Sequence, residues 1–278
     1  MTGTDDDMAH EPGTAAAPAA PVAPSGPALL DVDRVGVRFG GVIALDELSF
    51  QIRPQAICAL IGPNGAGKTT LFNVISRLYT ASSGAVTFDG RDLLAVPPHR
   101  IAEVGIARTF QNVALFPGLS VLDNVRVGAH TEGSNGFVKG LLGLGRGEER
   151  RLRDEAMGIL ERLELAHLAA KPAAGLPFGT LKRIELARAL AARPRLLMLD
   201  EPANGLTHGE VDELAETIRH LRAELDLTVL LVEHHMSMVM AVSDHIVVLD
   251  FGRRIAEGPP EVVQNDPAVI EAYLGTSE

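Results

Sequence analysis

Ala56-Ile57-Cys58-Ala59-Leu60-Ile61-Gly62-Pro63-Asn64-Gly65-Ala66-Gly67-Lys68-Thr69-Thr70 is the stretch on which the reading of the fold turns. Its first six residues are a continuous apolar run, the pattern of a short strand buried on both faces. The next eight fit Gly-x4-Gly-Lys-[Ser/Thr] in full. Glycines there let backbone N–H groups converge on phosphate oxygens, and a helix starting near Gly67 aims the positive end of its dipole at the same place. Lys68 supplies a point charge for the β and γ phosphates, and the Thr69 hydroxyl is a ligand for Mg2+. Gly62, Pro63, Asn64, Gly65, Ala66, Gly67, Lys68, Thr69 and Thr70 are therefore the candidate nucleotide-binding residues. The pattern says nucleoside triphosphate and no more, because kinases, GTPases and many ATPases share it.

Outward from that loop the chain reads as an α/β fold. Leu30 to Val37, Val42 to Leu45 and Leu48 to Ile52 alternate like antiparallel strands. Leu196 to Leu199 and Thr228 to Val232 are apolar runs with a helical stretch between them, which predicts an open parallel sheet. The middle, about 112–190, has no such run. Leu152, Ala156, Ile159, Leu160 and Leu163 recur there at helical spacing between charges, so a helical lobe inserted into the α/β core is expected. Gly133 to Gly147 carries six glycines among apolar residues, read as a mobile surface excursion or as an apolar loop that could touch a membrane partner. Residues 1–27, rich in Ala and Pro with an acidic start, lack apolar periodicity and read as a disordered tail with no signal peptide.

Composition narrows the function. The 278 residues are 46% hydrophobic and 22% charged, an ordinary globular mix that excludes a wholly disordered chain. The longest apolar runs fall far short of the ~18 residues of a membrane-crossing helix. A net charge of −11 argues against a nucleic-acid binder working by bulk electrostatics. One cysteine forms no internal disulfide, which fits a reducing compartment.

Arg195-Leu196-Leu197-Met198-Leu199-Asp200-Glu201 reads as a buried strand ending in two acids. Asp200 at the strand's end suits a Mg2+ site reached through water. Glu201 projects differently and is the candidate base for a water attacking the γ-phosphate.

With these residues in place, the chain resembles the ATP-binding subunit of ABC transporters over about 29–275. Five segments in order carry the resemblance: Gly62 to Thr70, Thr109-Phe110-Gln111-Asn112, Leu176 to Arg188, Leu199-Asp200-Glu201-Pro202, and Glu233-His234-His235. It implies a P-loop NTPase core of RecA-like type with an antiparallel β subdomain and an inserted α-helical subdomain, the ATPase domain running over 28–275. It implies that Gln111 contacts Mg2+ and the attacking water, that Phe39 stacks on adenine, and that His234 contacts the γ-phosphate. His235 receives no role, and the two adjacent histidines make a poor metal pair without a further Cys or His. The family's working unit is a dimer sandwiching two ATP, each held between the phosphate loop of one chain and the signature segment of the other, here Phe178, Gly179 and Thr180.

Two segments depart from the family pattern. The usual signature Leu-Ser-Gly-Gly-Gln is Leu176-Pro177-Phe178-Gly179-Thr180, and Pro177 has neither a hydroxyl nor a backbone donor. A helix is expected from Leu181 to Ala191. After Glu201, Thr207 stands where an aspartate is usual. These departures suggest an asymmetric dimer with one weaker site.

Further details resemble the larger ATPase of the branched-chain amino-acid importers: Ala107 to Asn112 followed by Leu115-Phe116-Pro117, Val121-Leu122-Asp123-Asn124-Val125, Glu233 to Met236, and Ile255 to Pro260. That resemblance implies a second ATPase, with a homodimer as the other option, together with membrane permease subunits and a solute-binding protein. It also implies a peripheral position on the cytoplasmic face of the membrane, and the net charge of −11 speaks for no nucleic-acid partner. Urea or amide import, lipopolysaccharide export and a soluble ABC protein are the alternatives, and the cargo itself never touches such a chain.

Overall fold

The computed structural model describes residues 27–111, 113–129 and 145–274. The tail 1–26, residue Asn112 and most of the glycine-rich stretch, 130–144, lie outside the described residues, as do the last four. In chain order the elements are β1 (Leu30–Phe39), β2 (Val42–Ile52), β3 (Ile57–Ile61), α1 (Lys68–Ile75), β4 (Ser83–Phe88), β5 (Arg91–Asp92), β6 (Ile106–Arg108), α2 (Val121–Gly128), α3 (Gly145–Arg162), α4 (Phe178–Leu190), β7 (Leu196–Asp200), α5 (His208–Leu225), β8 (Thr228–Val232), α6 (Met236–Val242), β9 (His245–Asp250), β10 (Arg253–Gly258), α7 (Pro260–Val263) and α8 (Pro267–Leu274).

Two sheets form among the described residues. One is antiparallel, in the order β2-β1-β4-β5, and the other has six strands in the order β10-β9-β3-β8-β7-β6. In the larger sheet β9, β3, β8, β7 and β6 are parallel and β10 closes one edge antiparallel. The expected strands 42–45 and 48–52 are one strand, β2, because register shifts along the β1–β2 pairing absorb the break in alternation. β1 likewise runs on past Val37 to Phe39.

The continuous apolar runs follow from burial on both faces. In β7, Leu196 and Met198 join the core beneath the antiparallel sheet and α1, while Leu197 and Leu199 join the core under the helical lobe. β8 divides the same way, Leu230 and Val232 against Val229 and Leu231. Side chains alternate along a strand, so a sheet covered on both sides leaves no polar position free. A third cluster packs Ala59, Ile61, Ile246 and Val248 against α6 and the last two helices.

The lobe is built from α2, α3 and α4, whose Val121, Val125, Ala156, Leu160, Ile184 and Ala187 continue the core from the sheet face. Ser120 caps α2 by accepting from the amide of Asp123. Buried Asn124 holds the preceding loop, accepting from Phe116 N at 2.8 Å and donating to Phe116 O at 3.1 Å. No described helix is long and apolar enough to cross a membrane.

The register decides where chemistry can gather. Leu60 pairs with Val232 and Val232 with Asp200, so β3, β8 and β7 end in one row. β6 ends beside them, Arg108 opposite Met198. The loops after these four strands therefore leave the same carboxyl edge of the sheet, where open α/β sheets hold their ligands.

Candidate functional site

The loop after β3 has the geometry of an anion cradle. Gly62 sits at φ 146° and a Cβ there would lie 2.1 Å from Leu249 O. Gly67 sits at φ 104°, and its Cβ would meet Ala44 O at 2.7 Å and the Leu45 side chain. Only glycine satisfies both demands, a left-handed backbone and a close approach. Gly67 is the N-cap of α1, with no side-chain cap and no acidic residue in the first turn, so the first helical amides are left for an external acceptor. Lys68 curls back over the loop, its Nζ donating to Gly62 O at 2.6 Å and Pro63 O at 2.9 Å. Burial pushes its ammonium below the ordinary lysine range, against the opposing pull of Glu201 and Asp200. Ala66 is buried, Pro63 and Thr70 are half-buried, and Asn64, Gly65 and Thr69 are exposed. A donor-rich cradle with a lysine ammonium over it and no carboxylate in the loop itself fits a polyphosphate.

β7 delivers the carboxylates. Asp200 is its last residue and buried, and its Oδ2 accepts from Arg108 at 2.6 Å. Arg108 was not singled out in the sequence. It also donates to Asn73 Oδ1 and lies 5.3 Å from the ring centroids of both Phe72 and Phe110. Glu201 is in the left-handed region at φ 48°, unusual for a residue with a side chain, so the chain turns between two consecutive acids and aims them differently. Its Oε2 accepts from Gln111 Nε2 at 2.8 Å. Lys68, Gln111, Asp200 and Glu201 are thus brought together. Thr69, Asp200 and Gln111 offer the hard oxygen donors that suit Mg2+.

The loop after β8 begins with the acid of the Glu233-His234-His235 segment, to which the sequence alone gives no role. Glu233 is 1% exposed. Its Oε1 accepts from Ala203 N at 2.7 Å; its Oε2 accepts from His234 N at 2.9 Å and His235 N at 3.1 Å and lies 3.0 Å from His235 Nδ1. Glu233 therefore pins the loop after β7 to the loop carrying exposed His234. Ligand atoms of Glu233, His234 and His235 lie within 4.8 Å of one another. With Oε2 already serving three groups, the trio fits an anchor better than a cation site.

Phe39 and the signature segment stand apart. No hydrogen bond or ring contact among the described residues joins Phe39 or Phe178–Thr180 to Lys68, Asp200 or Glu201. Phe39 is half-exposed and meets Tyr79 edge-on, ring centroids 5.1 Å apart. The helix expected from Leu181 begins three residues earlier, at Phe178, because Pro177 has the extended backbone of an N-cap and its carbonyl takes the first helical bond, from Leu181 N at 3.0 Å. Phe178 packs on Gly205, where an added Cβ would lie 2.9 Å from its ring, and Gly179 abuts Glu210. Thr207 in the usual aspartate's position has a local reason: with Glu210 it forms the capping box that starts α5. Those hydrogen bonds from Thr207 hold the Glu210 carboxyl below its ordinary range.

Comparison with known proteins now bears on this geometry. The model of the ABC transporter family matches residues 45–204, and that of the branched-chain amino acid ATP-binding cassette transporter matches residues 253–278. The high-affinity branched-chain amino acid transport ATP-binding protein BraF of Pseudomonas aeruginosa is 41% identical over 249 residues, spanning 89% of this chain and 98% of the relative. LivG of Escherichia coli K12, of the same description, is 42% identical over 250 residues with the same coverage. Among solved structures, a nucleotide-free ATP-binding cassette from an ABC transporter superposes with TM-score 0.78 at 32% identity, over 88% of this chain and 98% of its own. An ATP-binding cassette in its ADP conformation superposes with TM-score 0.79 at 32% identity, over 90% and 100%.

Proposed function

The chain belongs to the ABC transporter family of ATP-binding proteins, and we propose that it is the ATP-hydrolysing motor of an importer for branched-chain amino acids. The observation that carries the mechanism is the hydrogen bond from Gln111 to Glu201 beside Lys68 and Asp200. The amides of Gly65 to Thr70 and the Lys68 ammonium bind the triphosphate. Thr69, Asp200 and Gln111 would hold Mg2+, which would supply positive charge to the phosphate oxygens. Glu201 takes the proton of the attacking water, and Gln111 fixes the carboxylate that receives it. Exposed His234 donates toward the terminal phosphate, and Phe39 provides the face for adenine.

The chain works as a peripheral subunit, at the cytoplasmic face of the membrane, against permease subunits. The BraF and LivG likeness and the match over 253–278 favour branched-chain amino acids as cargo. A second ATPase subunit completes the sandwich, with this chain's Phe178, Gly179 and Thr180 facing the partner's nucleotide, and a solute-binding protein serves the far side.

Glu201→Gln keeps the size and the partner for Gln111 but cannot accept the proton. In the assembled transporter it should cut ATP turnover by about 10²-fold or more and stop uptake of a radiolabelled branched-chain amino acid into vesicles, with ATP still bound. Turnover surviving the substitution would overturn the assignment of the base. Turnover without uptake in wild type would overturn the cargo.

A further inference from the structure

Two charged side chains on α4 are deeply buried and have no part in the site as described. Lys182 is 6% exposed and Glu185 2%. A charge taken out of water is tolerated only with good partners, and here the partners are backbone groups of one segment. Lys182 Nζ donates to the Gln111 carbonyl at 3.1 Å. Glu185 Oε1 accepts from Phe110 N at 3.3 Å. Arg188 donates to the Ala114 carbonyl and lies 3.6 Å from Glu185 Oε1. The three follow at steps of three residues and so share a face of the helix.

The segment they hold needs them. Between β6 and α2 the described chain has no helix or strand, so its buried backbone groups must find partners elsewhere. Lys182, Glu185 and Thr109 line one small cavity between α4 and the end of β7, together with Leu199 and Pro202. At its outer end Lys182 also lies 5.6 Å from the ring centroid of Phe178, the first residue of α4. At the inner end the side chain of Gln111 reaches Glu201. A continuous line of contacts thus runs Phe178, Lys182, Gln111, Glu201.

We propose that Lys182 is a positioning residue: by holding the Gln111 carbonyl on α4, it makes the placement of the base Glu201 depend on where the start of α4 lies. This rests on the assignment of Glu201 above. The phosphate loop and Phe39 hold the nucleotide and Gln111 is only one of three groups assigned to Mg2+, so the dependence acts on turnover more than on affinity.

The test is a double-mutant cycle in the full-length chain assembled with its permease and ATPase partners. Lys182→Met should lower kcat about tenfold and leave KM for ATP within about twofold. Lys182→Arg, which still carries an N–H to the same carbonyl, should restore kcat to within about threefold of wild type. In a Gln111→Ala background Lys182→Met should change kcat by less than about twofold, because the group through which it acts is gone. If Lys182→Met does not fold, Lys182→Gln, a shorter donor, takes its place in the cycle. Effects that multiply in the Gln111→Ala background, a KM that rises with the loss, or no loss at all would each overturn the proposal. Turnover that survives Glu201→Gln overturns the base assignment instead, and is read from that variant alone.

Discussion

Glu233 illustrates how much one carboxylate can hold. It joins two loops by hydrogen bonds to three backbone amides and the His235 ring, with its own carboxylate buried. Glutamine in its place keeps one acceptor oxygen but turns an NH2 toward groups that are themselves donors. Glu233→Gln should therefore destabilise the chain by about 2–4 kcal/mol, one or two charge-assisted hydrogen bonds lost plus a buried donor left unpaired. The urea midpoint should fall with the slope unchanged, and turnover should drop because His234 shares the loop. An unmoved midpoint would show that the amides find other partners. Such residues are hard to see in a sequence. The phosphate loop and the Asp200-Glu201 pair were legible because their chemistry demands fixed types at fixed spacing. Glu233 and Arg108 stand in segments that carry the family resemblance, Glu233-His234-His235 and Ala107 to Asn112, but their reach to Ala203 and Asp200, far along the chain, leaves no local pattern. Thr207-His208-Gly209-Glu210 did leave one, a capping box, which explains the missing aspartate.

At the scale of elements, legibility follows length and burial. β3, β7 and β8 are buried along their whole length and were visible as apolar runs. β5 and β6, of two and three residues, are too short to show a period. α4 starts three residues before the expected Leu181 because an N-cap needs only an extended backbone and a carbonyl, and Pro177 supplies both. That detail makes Pro177→Ser a clean experiment. A serine cap contributes about 1 kcal/mol, while losing proline's restriction of the unfolded chain costs about 0.4–1 kcal/mol. The two nearly cancel, so thermal stability should change little. In the proposed sandwich the added hydroxyl would face the partner's nucleotide, so turnover of the assembled dimer should rise. Equal turnover and equal nucleotide affinity in both versions would sink the idea that this signature weakens one site.

Across the whole molecule, the six-stranded sheet is the wall between the antiparallel sheet and the helical lobe, and Cys58 lies inside that wall. It is the only cysteine, it is buried in β3, and burial pushes its thiol far above the ordinary cysteine range. Both the missing access and the missing thiolate suppress its reaction with electrophiles. β3 pairs with β8 on one side and β9 on the other, so exposing Cys58 requires opening the central sheet rather than fraying an edge. Thiol labelling of the native chain should therefore track global unfolding, with one equivalent reacting at once in denaturant. The phosphate loop leaves the end of the same strand, and a ligand bound there opposes that opening by mass action. In the Glu201→Gln chain, ATP at about 100 times its dissociation constant should stabilise the folded state by about 2.7 kcal/mol, slowing labelling about 100-fold. Fast labelling of the native chain would mean that β3 is reached by local opening. Slow labelling indifferent to ATP would mean that nucleotide does not bind where the strand ends.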